Sequence, residues 1–546
     1  MADKETAALS DSKTSLVTNR AVARRHERRW RPTLPQYAML LVVFLVMAAG
    51  PLVVKPTPQT GRVVNLTLMQ LNDVYQLLPN GPNAEGGLAR IATLQKAIVS
   101  QSDHVIFVLS GDTLSPSLES IAFKGGQMID LWNNLGLNLA VLGNHEFDFG
   151  PDVLRQRLRE SHFTWLAANV IDKTTGAPFG GVQRFVIQEV DGVRVGIFGL
   201  LTADTAQTSQ PGPDIEVLDP IATARDLVPQ MRAQGAQVII ALTHLLLADD
   251  KRLAEAVPLD LILGGHDHQL VAPEAGMTPI YKMGSDARNL GRLDLKIDAR
   301  SGKLQSSEWT VIPVTQGVQE DARVRAIIDD YESKLGGVLG GVNLEEKIGE
   351  SAVDLDAEQE SVRAREANVG DFIADTFREA TGADVGLVNG GGLRSDLLYK
   401  AGPITNRVVY SILPFKNKVV MIAVAGAELR SALERGVSRI IEQTEDGGFP
   451  QVAGLRFVYN GLRPPGSRVT SVTVGGQPLE DNKSYRLATI SYIAGGNEGY
   501  DMFRGKADLL PPGSNQTDAD LVREKIKKAL KISPTLDGRI SRQDAP

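Results

Sequence analysis

Along most of the chain, short apolar runs alternate with amphipathic stretches. VVNLTLMQL (63–71), HVIFVLS (104–110), LNLAVLG (137–143), VRVGIFGL (193–200), AQVIIALT (236–243) and LDLILGG (259–265) have the length and residue types of strands. EDARVRAIIDDYESKL (320–335) predicts an amphipathic helix, and GGVLGG (336–341) behind it predicts a joint. Beyond that joint come VGLVNGG (385–391), KVVMIAVAG (418–426), LRFVYN (455–460) and YRLATISYI (485–493), with a terminal helix at ADLVREKIKKAL (519–530). The pattern predicts an α/β, layered (α+β) architecture. A chain of 546 residues is also too long for one core. We place the first domain at 62–318, a linker helix and hinge at 319–341, and a second α/β domain at 342–546.

One apolar run has no polar face. YAMLLVVFLVMAAGPLVV (37–54) carries no charge over eighteen residues, about 27 Å of helix and enough for a bilayer core. Arg20, Arg24, Arg25, Arg28, Arg29 and Arg31 precede it. A basic flank stays cytoplasmic, so the rest of the chain is expected outside, periplasmic or extracytoplasmic. The expectation is a basic cytoplasmic segment (1–35), then a transmembrane anchor or signal sequence (36–54) and a Pro-rich linker (55–61). Ala48-Ala49-Gly50 offers small residues for cleavage, which keeps the signal alternative open.

Composition narrows the chemistry. There are no cysteines, which excludes disulfides, thiolate metal sites and Cys nucleophiles. The net charge is −7; residues 1–35 carry eight Lys/Arg against four Asp/Glu, a net +4, leaving the body at −11. An acidic body argues against a nucleic-acid polymer as partner. A content of 42% apolar and 23% charged residues is that of a globular protein.

The strand ends are where that chemistry concentrates. The first run ends at Asp73, the second in Ser110-Gly111-Asp112, and the third in Gly143-Asn144-His145-Glu146-Phe147-Asp148. The fifth ends in Thr243-His244 and the sixth in Gly265-His266-Asp267-His268. Four of the chain's seven histidines fall at these ends, which is where α/β folds place their sites. Singly, each piece also reads as a turn or a surface pair. The ordered set is far more specific than its parts.

That set resembles the calcineurin-like metallophosphoesterases, and the chain from about 62 to 510 resembles the exported 5′-nucleotidase/UDP-sugar hydrolase family. The resemblance implies a four-layer metallophosphoesterase β-sandwich flanked by helices, a linker helix and a C-terminal substrate-binding domain. It implies two divalent metal ions, Zn or Mn. Asp73 and His268 would hold the first, Asn144, His244 and His266 the second, and Asp112 would bridge them. His145 and Asp148 would form the catalytic dyad. The family's first motif reads Asp-x-His, whereas this chain has Tyr75 at the third place. Tyr75 either ligates, which points to iron, or packs and hydrogen-bonds beside a site completed by water.

Downstream, VRAREANVGDFIAD (362–375), NGGGLR (389–394), LPFKN (413–417) and SYIAGGNEGYDMF (491–503) resemble the family's substrate-binding segments. By that resemblance Phe415 and Tyr492 sandwich a nucleobase, Arg363 and Arg394 hold phosphate or a terminal carboxyl-type group, Asn417 touches the base, and Asn368 and Asn389 belong to the same site. Glu498 stands where the family has an Asp on the ribose hydroxyls. The implied partner is a small nucleotide, and the implied activity is hydrolysis of nucleoside phosphates. The alternatives are UDP-sugar or cyclic-nucleotide hydrolysis, or a nucleotide-binding protein impaired in catalysis. A rotation of the domains about the linker helix is implied by the resemblance as well.

Overall fold

The computed structural model describes residues 62–80, 83–440 and 446–544. Val63–Leu71 lies inside a six-stranded sheet, in the order Leu304–Pro313, Asn289–Asp298, Val63–Leu71, Val105–Leu109, Leu139–Val141, Thr164–Leu166. A second six-stranded sheet runs Leu270–Val271, Ile280–Met283, Leu261–Gly264, Val238–His244, Val193–Leu201, Phe185–Val190. Val63–Leu71, Val105–Leu109 and Leu139–Val141 pair in parallel in the first sheet, as do Leu261–Gly264, Val238–His244 and Val193–Leu201 in the second.

The period-two pattern explains the layering. Val64, Leu66 and Leu68 share one apolar core with Ile197, Val238, Ile240 and Leu242 of the other sheet. Met69 and Leu71, on the opposite face, pack with residues of the helices Leu88–Val99 and Gly126–Leu135. Ile239 and Ala241 likewise pack against Leu227 and Met231 of the helix Pro220–Ala233. The result is helix, sheet, sheet, helix, with the carboxyl ends of the parallel strands along one edge.

The linker helix runs Ala322–Val338, capped by the Asp321 carboxylate, which accepts from Val324 N–H at 3.1 Å. It corrects the expected joint, because Gly336 and Gly337 are helical. Glycine weakens a helix interior by about 1 kcal/mol. Here the ladder persists, with Leu339 N–H donating to Leu335 O at 3.1 Å, and Leu335 is wholly buried in the second core. The chain turns at Gly340 and Gly341, both at positive φ.

In the second domain a four-stranded sheet has the order Val419–Ala425, Ser484–Ile490, Val385–Asn389, Pro450–Ala453, with the helix Asn368–Thr381 against it. The strand expected at 485–493 ends at Ile490. Ser491–Ala494 is a helical turn that carries Tyr492 out of the sheet. Ile121, Ala122 and Phe123 of the first domain pack on this second core.

No helix among the described residues is long and apolar enough to cross a membrane. The segment expected to anchor or export the chain, 36–54, lies outside the described residues.

Candidate metal centre and substrate cavity

Asp73, Asp112, Asn144, His244, His266 and His268 all stand at or just past strand ends. Four of them, Asp73, Asp112, His266 and His268, have positive φ, between 53° and 83°. Such backbone is uncommon outside glycine, and it turns successive side chains toward one point. Two glycines allow the close approach. A Cβ on Gly111 would lie 2.4 Å from His244 Nδ1, and one on Gly143 would lie 2.1 Å from Asp112 Oδ1.

The side chains meet as a cluster. His268 Nε2 lies 3.1 Å from Asp73 Oδ1, and His244 Nε2 lies 3.1 Å from Asp112 Oδ2. His266 Nδ1 is 3.2 Å from His244 Nε2. Tyr75 Oη sits 3.2 Å from Asp73 Oδ1, 3.1 Å from Asp112 Oδ2 and 3.0 Å from His268 Nε2. Burial, then the Asp112 and Asp73 charges, push the phenol well above its usual 10. Burial opposes a charge on His244, but the Asp112 and Asp73 carboxylates outweigh it and raise the imidazole to about 10.

The cluster fits metal ions. Bonds of about 2.1 Å to one ion place neighbouring donors about 3 Å apart, close to the spacings above. Asp73, Asp112 and His244 offer ligand atoms that lie within 4.8 Å of one another. Asn144 Oδ1 is buried without a hydrogen-bond partner, an arrangement that costs free energy unless something else binds the oxygen. Carboxylates, neutral imidazoles and an amide oxygen suit borderline divalent ions.

Beside the cluster, His145 Nδ1 pairs with Asp148 Oδ2 at 2.8 Å, and Asp148 Oδ1 accepts from Ser209 Oγ at 2.7 Å. Burial lowers the affinity of His145 for a proton, but Asp148 and then Asp112 reverse this and raise its pKa overall. The Arg394 guanidinium, from the second domain, lies 2.8 Å from His145 Nε2. It also lies over the Phe415 ring, 5.5 Å from the centroid.

A cavity of about 280 Å³ opens here, lined among others by Asn389, Arg394, Phe415, Asn417, Tyr492 and Glu498. Tyr492 Oη donates to Gln207 O of the first domain at 3.2 Å. A larger cavity of about 940 Å³ lies over Asp112, Asn144, His266 and His268, with Arg363 and Arg394 in its wall. His145, Arg394 and Glu498 line both. Burial, then Asp446, raises the Glu498 carboxyl above its usual range.

Asn368 is the one expected site residue that lies elsewhere. Its Oδ1 accepts from Asp356 N–H at 3.0 Å and its Nδ2 donates to Asp354 O at 2.7 Å. It begins the helix Asn368–Thr381 and braces the neighbouring chain, so its amide is used locally.

Sequence reasoning missed Glu146, whose buried carboxylate accepts from the N–H groups of Asp112 (3.0 Å), Thr113 (2.7 Å) and Leu114 (3.2 Å) and holds the Asp112 loop. Lys282 was also missed. Fully buried, it donates to Leu245 O (2.7 Å), Gly265 O (2.8 Å) and Asp267, beside the histidine positions. The signal for Glu146 was present, since it lies inside GNHEFD. Lys282 had none, because it sits mid-strand in an apolar run.

The fold and the cluster define a metal-dependent phosphoesterase, and comparison with known proteins agrees. Residues 66–270 match the calcineurin-like phosphoesterase family model, and 347–505 match the 5′-nucleotidase C-terminal domain. A 5′-nucleotidase precursor from Thermus thermophilus is 30% identical with a TM-score of 0.81, the match covering 88% of this chain and 100% of that one. The snake venom 5′-nucleotidase of Gloydius brevicauda is 29% identical over 87% of this chain and 88% of its own length. The trifunctional nucleotide phosphoesterase protein YfkN of Bacillus subtilis is 30% identical over 89% of this chain, which spans only 35% of that longer protein. The chain belongs to the 5′-nucleotidase family, whose members are metal-dependent hydrolases of phosphate esters.

Proposed function

We propose that this protein is an exported, dinuclear phosphoesterase that releases inorganic phosphate from nucleotides. Residues 62–318 form its catalytic domain, 319–341 its linker, and 342–546 its nucleotide-binding domain. One observation carries the reading: His145, backed by Asp148, borders both the donor cluster and the cavity holding Phe415 and Tyr492. A group at that boundary can act on a phosphate whose base lies in one cavity and whose oxygens lie in the other. Export rests on the Arg-rich stretch 20–31 ahead of the uncharged run 37–54.

Asp73 and His268 would hold one ion and Asn144, His244 and His266 the other, with Asp112 shared between the two. When bound, the two ions supply a nucleophilic water and a positive clamp on phosphoryl oxygens. Arg363 and Arg394 fix the remaining phosphate oxygens through planar, charge-assisted hydrogen bonds. His145 presents Nε2 to the phosphoryl group and stabilises charge there or gives a proton to the departing oxygen. Asp148 holds Nδ1–H and favours the charged ring. Tyr75 Oη lies within hydrogen-bond reach of the Asp73 and Asp112 carboxylates and of the His268 ring. Phe415 and Tyr492 stack on the base, Asn389 and Asn417 meet polar atoms of the nucleoside, and Glu498 accepts from ribose hydroxyls.

The cavity of about 940 Å³ is roomy beyond the donor cluster and carries Arg439 and Lys251 in its wall. That favours, as a second reading, a nucleotide with a further group on its phosphate, such as a UDP-sugar. Phosphate release should be measured on nucleoside mono- and diphosphates, UDP-glucose and cyclic nucleotides, with Mn²⁺ or Zn²⁺ and with chelator. Chelator-sensitive release, lost in His145→Ala, is the expected result. No turnover with either metal would overturn the proposal.

A further inference from the structure

Two of the three expected imidazole ligands, His244 and His268, are supported from different places. His244 Nδ1 is held by the Ser110 carbonyl at 2.8 Å, inside the first domain. His268 Nδ1 meets the side-chain amide of Gln359, with Nε2 at 2.7 Å and Oε1 at 2.9 Å, and Gln359 belongs to the second domain. With Nδ1–H donated to that oxygen, the lone pair on Nε2 faces Asp73 Oδ1 at 3.1 Å. Such a bond fixes the tautomer and ring plane of a metal-binding imidazole.

Gln359 is itself clamped. Its backbone N–H donates to Asp396 Oδ1 at 2.8 Å, and Asp396 Oδ2 pairs with Arg288 of the first domain at 2.8 Å. Arg288 Nε donates to Asn80 Oδ1 at 3.2 Å, and Asn80 Nδ2 donates to Asp286 Oδ2 at 2.7 Å. Asp286 Oδ1 accepts from Tyr75 N–H at 3.0 Å, and Asp286 N–H donates to Asp73 O at 2.8 Å. The second domain thus reaches Asp73, Tyr75 and His268 by two routes. The hydrogen bonds of the His244 and His266 rings go to residues of the first domain.

We infer that Gln359, held by the Asp396–Arg288 pair, is a positioning residue that makes the Asp73/His268 ion site depend on the docked second domain, while the Asn144/His244/His266 site depends on the first domain alone. The inference rests on the dinuclear reading above. Its consequence is that one of the two ion sites is complete only with the substrate-reading domain in place.

The test is calorimetric titration of the full chain with Mn²⁺ alone, comparing wild type, Gln359→Ala and Gln359→Glu, with melting curves as a check on folding. Wild type should bind two ions. Gln359→Ala should keep one at its original affinity and bind the other roughly 10–100-fold more weakly. Gln359→Glu restores the acceptor and should recover tight binding. Arg288→Ala should reproduce the selective loss in weaker form. Gln359→Met keeps the volume without the acceptor and serves if the alanine variant does not fold. Unchanged binding in the variants, or equal weakening of both ions, would overturn the inference while the dinuclear reading stands. A wild type that binds fewer than two ions would overturn both.

Discussion

The donor cluster and the aromatic cavity meet at His145, yet they are built in opposite ways. Asp73, Asp112, Asn144, His244, His266 and His268 all stand at or just past the strand ends of one sandwich. Backbone at positive φ, the Glu146 carboxylate and the buried Lys282 ammonium hold those loops. The cavity is assembled across a seam, with His145 and Ser209 from the first domain and Asn389, Arg394, Phe415 and Tyr492 from the second. Chemistry that must hold geometry to a fraction of an ångström would suit the cluster, and recognition of a varied ligand would suit the seam.

Breaking the cluster should therefore affect every substrate. Asp112 Oδ2 lies 3.1 Å from both His244 Nε2 and Tyr75 Oη. Asp112→Ala should abolish release of phosphate from nucleoside monophosphate and from p-nitrophenyl phosphate alike, with loss of bound metal seen by elemental analysis. Retained metal together with retained turnover would remove Asp112 from the centre of the site.

His145→Ala should lower kcat by roughly 10²–10⁴-fold on nucleoside monophosphate. Its metal content should stay at the wild-type level, because His145 stands beside the donors and is not counted among them. If metal is lost as well, the division between holding ions and handling charge fails at this residue.

The cavity should behave selectively. Phe415→Ala removes a stacking face worth about 1–3 kcal/mol, so kcat/KM on a nucleotide should fall roughly 5–150-fold. Turnover of p-nitrophenyl phosphate should change little. An equal loss on both compounds would mean that Phe415 supports His145, whose ring centroid is 6.4 Å away, and does not read a base.

The smallest effect concerns the seam itself. Glu119 of the first domain lies buried beside Glu332 of the linker helix; burial, then the Glu332 charge, pushes its carboxyl from an ordinary 4.5 up to about 7. The folded state then binds this proton more tightly than the unfolded chain, so stability falls as pH rises from about 4.5 through about 7. Glu119→Gln removes that dependence. Its melting temperature should exceed that of wild type by a few degrees at pH 8 and match it near pH 5. A variant that melts lower at both would place the Glu119 charge on the stabilising side.

What could be read in advance follows the same division. The six strand-end positions that the structure gathers were legible because strand ends show in the apolar pattern and few residue types bind divalent ions. Asn368 was misplaced because it shares a motif with Arg363, whereas the start of its helix turns the amide onto Asp354 and Asp356. The linker helix runs past its expected end at 335 because a buried Leu335 and an unbroken ladder outweigh the weak propensity of Gly336 and Gly337. Gln359 stands 91 positions from His268 and left no local pattern.

By itself, the sequence determined the alternation of strands and helices, the division of the chain near the linker helix, and the types of chemical group at each strand end. These follow from periodicity and from the few side chains that suit each role, both of which are local properties. Only the tertiary structure decided that Tyr75 faces both carboxylates, that Arg394 crosses the seam to His145, and that His268 takes its second hydrogen bond from the other domain. Those side-chain distances are set by how strand ends and the two cores pack, which no local pattern in the chain records.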